Sequence, residues 1–214
     1  MKKPVSGLYA ITPELTDSIA LVRKVAEALG GGARVIQYRN KSSDMELRRS
    51  QAGEIAALCR NRDALFIVND SVDLAREVDA DGVHLGRYDA EVSMARFVLG
   101  PGKFIGVSCY NEIARARIAA AQGADYVAFG SFFPSVTKPS SLRAGTEVLR
   151  IARSELALPV VAIGGITEDN AASLIAAGAD SIAVISALFD APDVEAQARR
   201  FARLFQIPIR ENQA

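Results

Sequence analysis

The stretch Ala177-Gly178-Ala179-Asp180-Ser181-Ile182-Ala183-Val184-Ile185-Ser186 packs a helix stop, a short turn and an apolar strand into ten residues. Glycine just past a helix adopts the left-handed conformation that ends it, and the apolar run begins within about three residues, a normal length for an αβ loop. The same device recurs at Gln122-Gly123-Ala124-Asp125, ahead of Tyr126, and at Leu29-Gly30-Gly31-Gly32-Ala33, ahead of Arg34. Working outward, runs rich in Val, Ile and Phe occupy 7–12, 34–39, 65–70, 82–86, 104–109, 126–131, 159–165 and 181–186. Continuous apolarity over such lengths suits parallel strands covered on both faces. Ala-rich amphipathic stretches separate the runs. Helix starts are expected at Thr12-Pro13 and Thr16, at a capping box in Ser43-Asp44-Met45-Glu46, and at Ile166-Thr167-Glu168-Asp169-Asn170. Eight consecutive βα units imply a compact (β/α)8 barrel, a TIM barrel, as one domain over 1–214, with 210–214 expected to fray. A doubly wound open sheet is the structural rival, but it gives no reason for eight regular units.

Half of the 214 residues are hydrophobic, enough for a substantial core. Lys+Arg and Asp+Glu both total 25, and no basic run marks a nucleic-acid face, so no nucleic-acid partner is expected. No apolar stretch approaches the ~18 residues that span a bilayer, so no membrane partner is expected either. Met1-Lys2-Lys3-Pro4 leads straight into a strand without the apolar segment of a signal peptide. Cys59 and Cys109 form no CxxC pair, which reads as reduced thiols in a cytoplasmic protein.

In such barrels the active site forms at the C-terminal ends of the strands. Those ends carry Gln37, Arg39 and Lys41; Asn69 and Asp70; His84 and then Asp89; Ser108; Ser131 and a loop holding Ser135, Thr137 and Lys138; Gly164 and Gly165; and Ile185 and Ser186. The Gly164-Gly165 pair lets backbone N–H groups approach an anion, at the place where this fold usually binds phosphate; the alternative is a tight turn. Asp70 and Asp89 follow neighbouring strands and could share one hard cation, or each could cap the helix that follows it. Arg39, Lys41 and Lys138 could grip phosphates or be solvated surface charge. The hydroxyl-rich loop around Lys138, bounded by Pro134 and Pro139, could wrap a pyrophosphate. His84, the single histidine, is expected to be structural; Cys109 reads as a small barrel-end residue, and Tyr126 and Phe129 as packing residues.

Taken together, these segments resemble the thiamine-phosphate synthase family. Gln37-Tyr38-Arg39-Asn40-Lys41 is similar to its Q-x-R-x-K segment, and Phe66-Ile67-Val68-Asn69-Asp70 to its strand ending in Asn-Asp. Gly82-Val83-His84-Leu85-Gly86 with Asp89 is similar to G-V-H-L-G-x-x-D. Residues 126–138 resemble its sixth strand and P-T-x-T-K loop, and the segments around Gly164-Gly165 and Ile185-Ser186 complete the set. The resemblance implies a magnesium-dependent transferase with small-molecule substrates. It would condense hydroxymethylpyrimidine diphosphate with thiazole phosphate, giving thiamine phosphate and pyrophosphate. It further implies that Asp70 and Asp89 ligate Mg2+. Arg39, Lys41 and Asn69 would hold the diphosphate, and Lys138 would assist its departure. Gln37 and Ser108 would meet the pyrimidine, and Arg39, Lys138 and Ser108 are the candidate catalytic residues. Ser135, Thr137 and the amides of Gly165, Ile185 and Ser186 would take the thiazole phosphate. Four positions depart from the family pattern: Ser135 for Thr, Asn40 for an acidic residue, Arg87 for Gln and Tyr110 for His. Rival functions are a thiazole tautomerase, a sugar-phosphate epimerase or isomerase, and a non-catalytic barrel that binds the precursors. A homo-oligomer is left open.

Overall fold

The computed structural model describes residues 4–134 and 143–206. Eight parallel strands close in sequence order into a barrel: β1 Gly7–Ile11, β2 Val35–Tyr38, β3 Leu65–Asn69, β4 Gly82–Leu85, β5 Phe104–Tyr110, β6 Tyr126–Phe129, β7 Val160–Ile163 and β8 Ser181–Val184. All eight expected runs are strands, most of them trimmed by a residue or two at the ends. The helices outside are α1 Ser18–Gly30, α2 Met45–Asn61, α3 Val72–Glu77, α4 Val92–Leu99, α5 Ile113–Ala121, α6 Glu147–Glu155, α7 Glu168–Ala176, α8 Ser186–Phe189 and α9 Val194–Arg203. Among the described residues no helix is long and apolar enough to cross a membrane.

Two helix starts differ from expectation. The N-cap of α1 is Asp17, accepting from Ala20 N, rather than Thr12 or Thr16. Thr12 instead bonds to the backbone of Arg39, with its Oγ1 accepting from Arg39 N at 2.9 Å. α2 is capped by Asp44, accepting from Leu47 N, rather than by Ser43. The start of α7 is as read: Thr167 and Asn170 form a reciprocal capping box.

The apolar runs conceal an alternation. One buried cluster, including Tyr9, Ile11, Val35, Leu65, Ile67, Phe104, Tyr126, Ala128, Val161 and Ala183, fills the barrel. The intervening residues, among them Leu8, Ala10, Ile36, Phe66, Val68, Val83, Ile105, Val107, Val127 and Ile182, pack outward against the helices. With period two along each strand, Gln37, Asn69, His84 and Ser108 share the inward register. Gly106 occupies the same register because Tyr126 needs the space: a Cβ there would lie 2.0 Å from Tyr126 Cζ.

The opposite end of the barrel is held by a repeated clamp. Asp81, Asp125 and Asp180 each accept, through Oδ2 at 2.8 Å, the N–H of Phe66, Ile105 and Val160 respectively. Each returns its own N–H to the carbonyl of the same residue at 2.7–2.8 Å. Two residues earlier the chain is left-handed in all three copies, at Asp79 (φ 50°), Gly123 (φ 88°) and Gly178 (φ 112°). Asp is among the few side chains that tolerate that region, so the first copy is Asp79-Ala80-Asp81 and lacks the glycine that marks the other two.

Gly106→Ala should lower stability by about 1–3 kcal/mol, because the added methyl meets the Tyr126 ring in a closed interior. Urea unfolding midpoints at unchanged m-value measure this; an unchanged midpoint would mean that the ring has room to move.

Candidate active site

The C-terminal rim gathers charge at one side. Arg39 follows β2; its backbone is tied to Thr12, and its guanidinium Nη1 reaches Glu14 Oε1 at 2.5 Å. Behind it, the buried Gln51 of α2 accepts from Tyr38 Oη (2.9 Å) and Asn40 Nδ2 (3.1 Å) and donates to Leu15 O (2.9 Å). One interior amide thus fixes the β1 and β2 loops together. Asn40, where the family pattern has an acidic residue, serves this scaffold.

Asp70 follows β3 with φ at 63°, and its N–H donates to His84 O of β4 at 2.8 Å. Asp89 lies beyond β4, where Oδ2 accepts the Gly86 N–H at 2.6 Å. A Cβ on Gly86 would stand 2.9 Å from that oxygen. Neither aspartate caps a helix: the N-cap of α3 is Ser71 and that of α4 is Glu91. The two carboxyls meet each other. Burial, the hydrogen bond with Asp89 and the charge of Asp89 push the Asp70 carboxyl up from 3.8 to about 6, while Lys41 and Arg39 pull it down. Asp70, Asp89, Arg39 and Lys41 therefore form one electrostatic group. The pair can relieve its repulsion by keeping a proton or by sharing a cation. Among the described residues no third His, Cys, Asp or Glu joins them in a cluster of metal-ligand type.

Gln37 and Ser108 reach the rim from the interior, with Gln37 Nε2 donating to Tyr9 Oη at 2.8 Å and Ser108 Oγ 2.9 Å from His84 Nε2. Arg115 of α5 braces this side, donating to Ser108 O (2.8 Å) and Gly86 O (3.2 Å). Two of the departures from the family pattern touch one another: the Arg87 guanidinium sits 4.9 Å from the Tyr110 ring centroid and pairs with Glu112.

Gly164 and Gly165 are left-handed, at φ 103° and 63°. A Cβ on Gly164 would be 2.1 Å from Ser131 Oγ, and one on Gly165 2.2 Å from Pro134 O. The pair is thus needed to seat residues 131–134 across the end of β7, with Phe133 N donating to Gly164 O at 3.0 Å. Ile185 and Ser186 stand at the start of α8, just past the end of β8. Ser135, Thr137 and Lys138 lie outside the described residues. Two concavities of about 390 and 450 Å³ open at the other end of the barrel, beside Pro159 and Asp180 and beside Gly31 and Arg34, away from all these groups.

Tyr126 packs inside the barrel as expected, and its hydroxyl is in addition hydrogen-bonded to that of Tyr9, which the apolar run around it does not mark. The available signal was inward register with Gln37 and His84 on neighbouring strands.

The arrangement defines a (β/α)8 barrel enzyme with an acidic pair flanked by cations at one side of its rim and a paired-glycine turn after β7, a class suited to phosphorylated substrates. A family model described as thiamine monophosphate synthase matches residues 8–188. A thiamine-phosphate synthase of Thiobacillus denitrificans is 56% identical, over 93% of this chain and 94% of that protein. One of Nitrosospira multiformis is 52% identical, over 96% of this chain and 88% of that protein. The solved thiamine phosphate pyrophosphorylase of Pyrococcus furiosus superposes with a TM-score of 0.82 at 40% identity, covering 94% and 95% of the two chains. The chain belongs to the thiamine monophosphate synthase family, and it is a transferase.

Replacing Asp70 separates its charge from its conformation. The folded state binds this proton more tightly than the unfolded chain, so its stability falls as pH rises from about 4 to about 6. Asp70→Asn, which tolerates φ > 0, should be more stable than the parent by about 1 kcal/mol at pH 7.5 in chelator, after allowing for solvent screening of a half-buried group. It should lose that advantage at pH 4. Asp70→Ala should gain less, because Ala is strained at this φ. Thermal melts at both pH values check this; a destabilised Asp70→Asn at pH 7.5 would count against carboxylate repulsion.

Proposed function

We propose that the rim joins hydroxymethylpyrimidine diphosphate to thiazole phosphate, with Asp70 and Asp89 holding a magnesium ion beside the diphosphate. The observation that carries this reading is the contact between two carboxyls, flanked by Arg39 and Lys41, where one carboxyl is raised to about 6. Two carboxylates suit magnesium, whose remaining positions are commonly filled by water and substrate phosphate oxygens. When bound, the ion supplies positive charge to the departing diphosphate.

The rest follows from residues of the chain. In the reaction the bond between the pyrimidine methylene and the diphosphate oxygen breaks, and its electron pair leaves on oxygen. The thiazole nitrogen lone pair forms the new C–N bond. Arg39, Lys41 and Asn69 bind and orient the diphosphate, and Lys138 stabilises it as it leaves. Gln37 and Ser108 orient the pyrimidine. The amides of Gly165, Ile185 and Ser186, with Ser135 and Thr137, hold the thiazole phosphate so that its ring nitrogen faces the methylene. No proton moves at the reacting atoms, so the site needs no acid–base pair. In keeping with this, both His84 ring nitrogens are hydrogen-bonded inside the barrel, and burial pushes the Cys109 thiol to about 12. Enolising epimerases and isomerases do need such a pair. Cys59 and Cys109 are free and buried, which favours work in a reducing cytoplasm.

Mixing both precursors with the protein should give thiamine phosphate with magnesium and little without it. Folded protein that forms no product under either condition would defeat the reading. Asp70→Asn and Asp89→Asn should each cut turnover by about 10²-fold or more; full activity in either removes that residue as a ligand. Lys138→Ala should slow single-turnover product formation, and an unchanged rate would remove its role in leaving-group departure.

A further inference from the structure

From the rim into the barrel and back, five side chains from five strands form one hydrogen-bonded chain. Gln37 Nε2 is 2.8 Å from Tyr9 Oη, Tyr9 Oη 2.9 Å from Tyr126 Oη, Tyr126 Oη 3.0 Å from His84 Nδ1, and His84 Nε2 2.9 Å from Ser108 Oγ. The four members below Ser108 are all buried. The His84 ring stacks on Tyr126, with centroids 5.5 Å apart and the planes 29° off parallel. Burial pushes the pKa of both tyrosines well above that of a free phenol, so each hydroxyl keeps its single proton.

That proton count gives the chain a direction. Starting from the Gln37 N–H donated to Tyr9, a chain in which each hydroxyl passes its one proton onward runs from Tyr9 to Tyr126 and from Tyr126 to His84 Nδ1. With Nδ1 accepting, a neutral imidazole carries its proton on Nε2 and donates to Ser108 Oγ. The Ser108 proton is left to point out of the chain, and the Gln37 carbonyl Oε1 is left as an acceptor at the far end. Reversing the chain would invert what the two ends offer a ligand, with Ser108 Oγ left as an acceptor and the Gln37 amide left as a donor.

We propose that His84, acting through Tyr126 and Tyr9, is a positioning residue that fixes this polarity. The polarity makes the site select a heterocycle bearing an amino donor and a ring-nitrogen acceptor over one whose amino group is replaced by a carbonyl oxygen. The selection rests on the reading above, in which Gln37 and Ser108 meet the pyrimidine. A carbonyl oxygen opposite Gln37 Oε1 leaves two acceptors facing each other, and a site with unpaired polar groups discriminates strongly.

The chain contains one histidine, so [15N]histidine-labelled protein reports a single imidazole. In substrate-free protein at pH 7.5 its nitrogen shifts should show Nε2 protonated and Nδ1 bare. Tyr126→Phe keeps the ring and removes the donor to Nδ1. It should alter the tautomer signals, raise KM for the aminopyrimidine diphosphate about tenfold with a smaller change in kcat, and narrow the amino-over-oxo preference. His84→Gln, which can still donate towards Ser108, should retain more of that preference than His84→Leu. An imidazole protonated on Nδ1, or a Tyr126→Phe variant with unchanged spectrum and KM, overturns the relay and leaves the reaction assignment standing. The expected tautomer in a wild type that binds neither pyrimidine diphosphate overturns the reaction assignment and the selection with it.

Discussion

A closed eight-stranded barrel has an interior just wide enough for its own side chains, and that constraint governs everything at the rim. Each strand must send alternate residues inward, and whatever arrives there must fill space and satisfy its own polar atoms. Apolar residues do this by packing, as Ile67, Phe104 and Val161 do. Polar ones must find each other. Gln37, Tyr9, Tyr126 and His84 bring four polar groups into a volume closed to bulk water, and each is paired with the next. Leaving one unpaired would cost about 1–3 kcal/mol, so the group forms as a unit. Gly106 belongs to it, although it has no side chain, because its missing Cβ is the space that the Tyr126 ring occupies.

The same logic separates what the sequence disclosed from what it concealed. Eight strands were legible because short apolar runs are bounded by helix stops such as Gly123-Ala124-Asp125 and Gly178-Ala179-Asp180. The first clamp, Asp79-Ala80-Asp81, was hidden because Asp79 takes the left-handed conformation in place of glycine. Which face each residue occupies was hidden as well. With helices covering the outside and side chains filling the inside, both faces of a strand are apolar, and period two disappears from the composition. Tyr126 therefore reads as packing in Tyr126-Val127-Ala128-Phe129, and only its partners distinguish it. At the rim, Asp70 and Asp89 were ambiguous between capping and ligation because a shift of one or two residues in a helix start decides the matter. Ser71 and Glu91 take the caps, which frees both carboxyls for each other. The Gly164-Gly165 pair makes the tight turn, seating residues 131–134 across the end of β7.

The acidic pair and the buried relay answer to different forces. The relay is satisfied within the fold and stabilises it. The pair is frustrated: Asp70 sits at φ 63°, half-buried, against a second carboxyl. Such frustration persists only where the surrounding structure over-determines it. Here the surroundings are Asp70 N–H on His84 O and Asp89 Oδ2 on Gly86 N–H, so the backbone holds both carboxylates in place against their repulsion. In the reading proposed above, a cation held between them would release that energy in the folded state alone, so that metal affinity and metal-free stability would be opposed.

β4 is where the two devices join. The His84 side chain is a link of the interior relay, its carbonyl anchors the backbone of Asp70, and two residues later the Gly86 N–H fixes Asp89. Arg115 adds a brace from Gly86 O to Ser108 O, tying the end of β4 to β5. The interior relay and the acidic pair are thus linked through β4 and the turn that follows it, from His84 to Asp89. For a reaction with no proton to transfer, the rate depends on how well the leaving oxygen, the methylene and the attacking nitrogen are held in line, and misplacement by about 1 Å can cost a factor of about 10². A short parallel strand, hydrogen-bonded on both sides within a closed barrel, is the stiffest ruler the fold has for setting that distance.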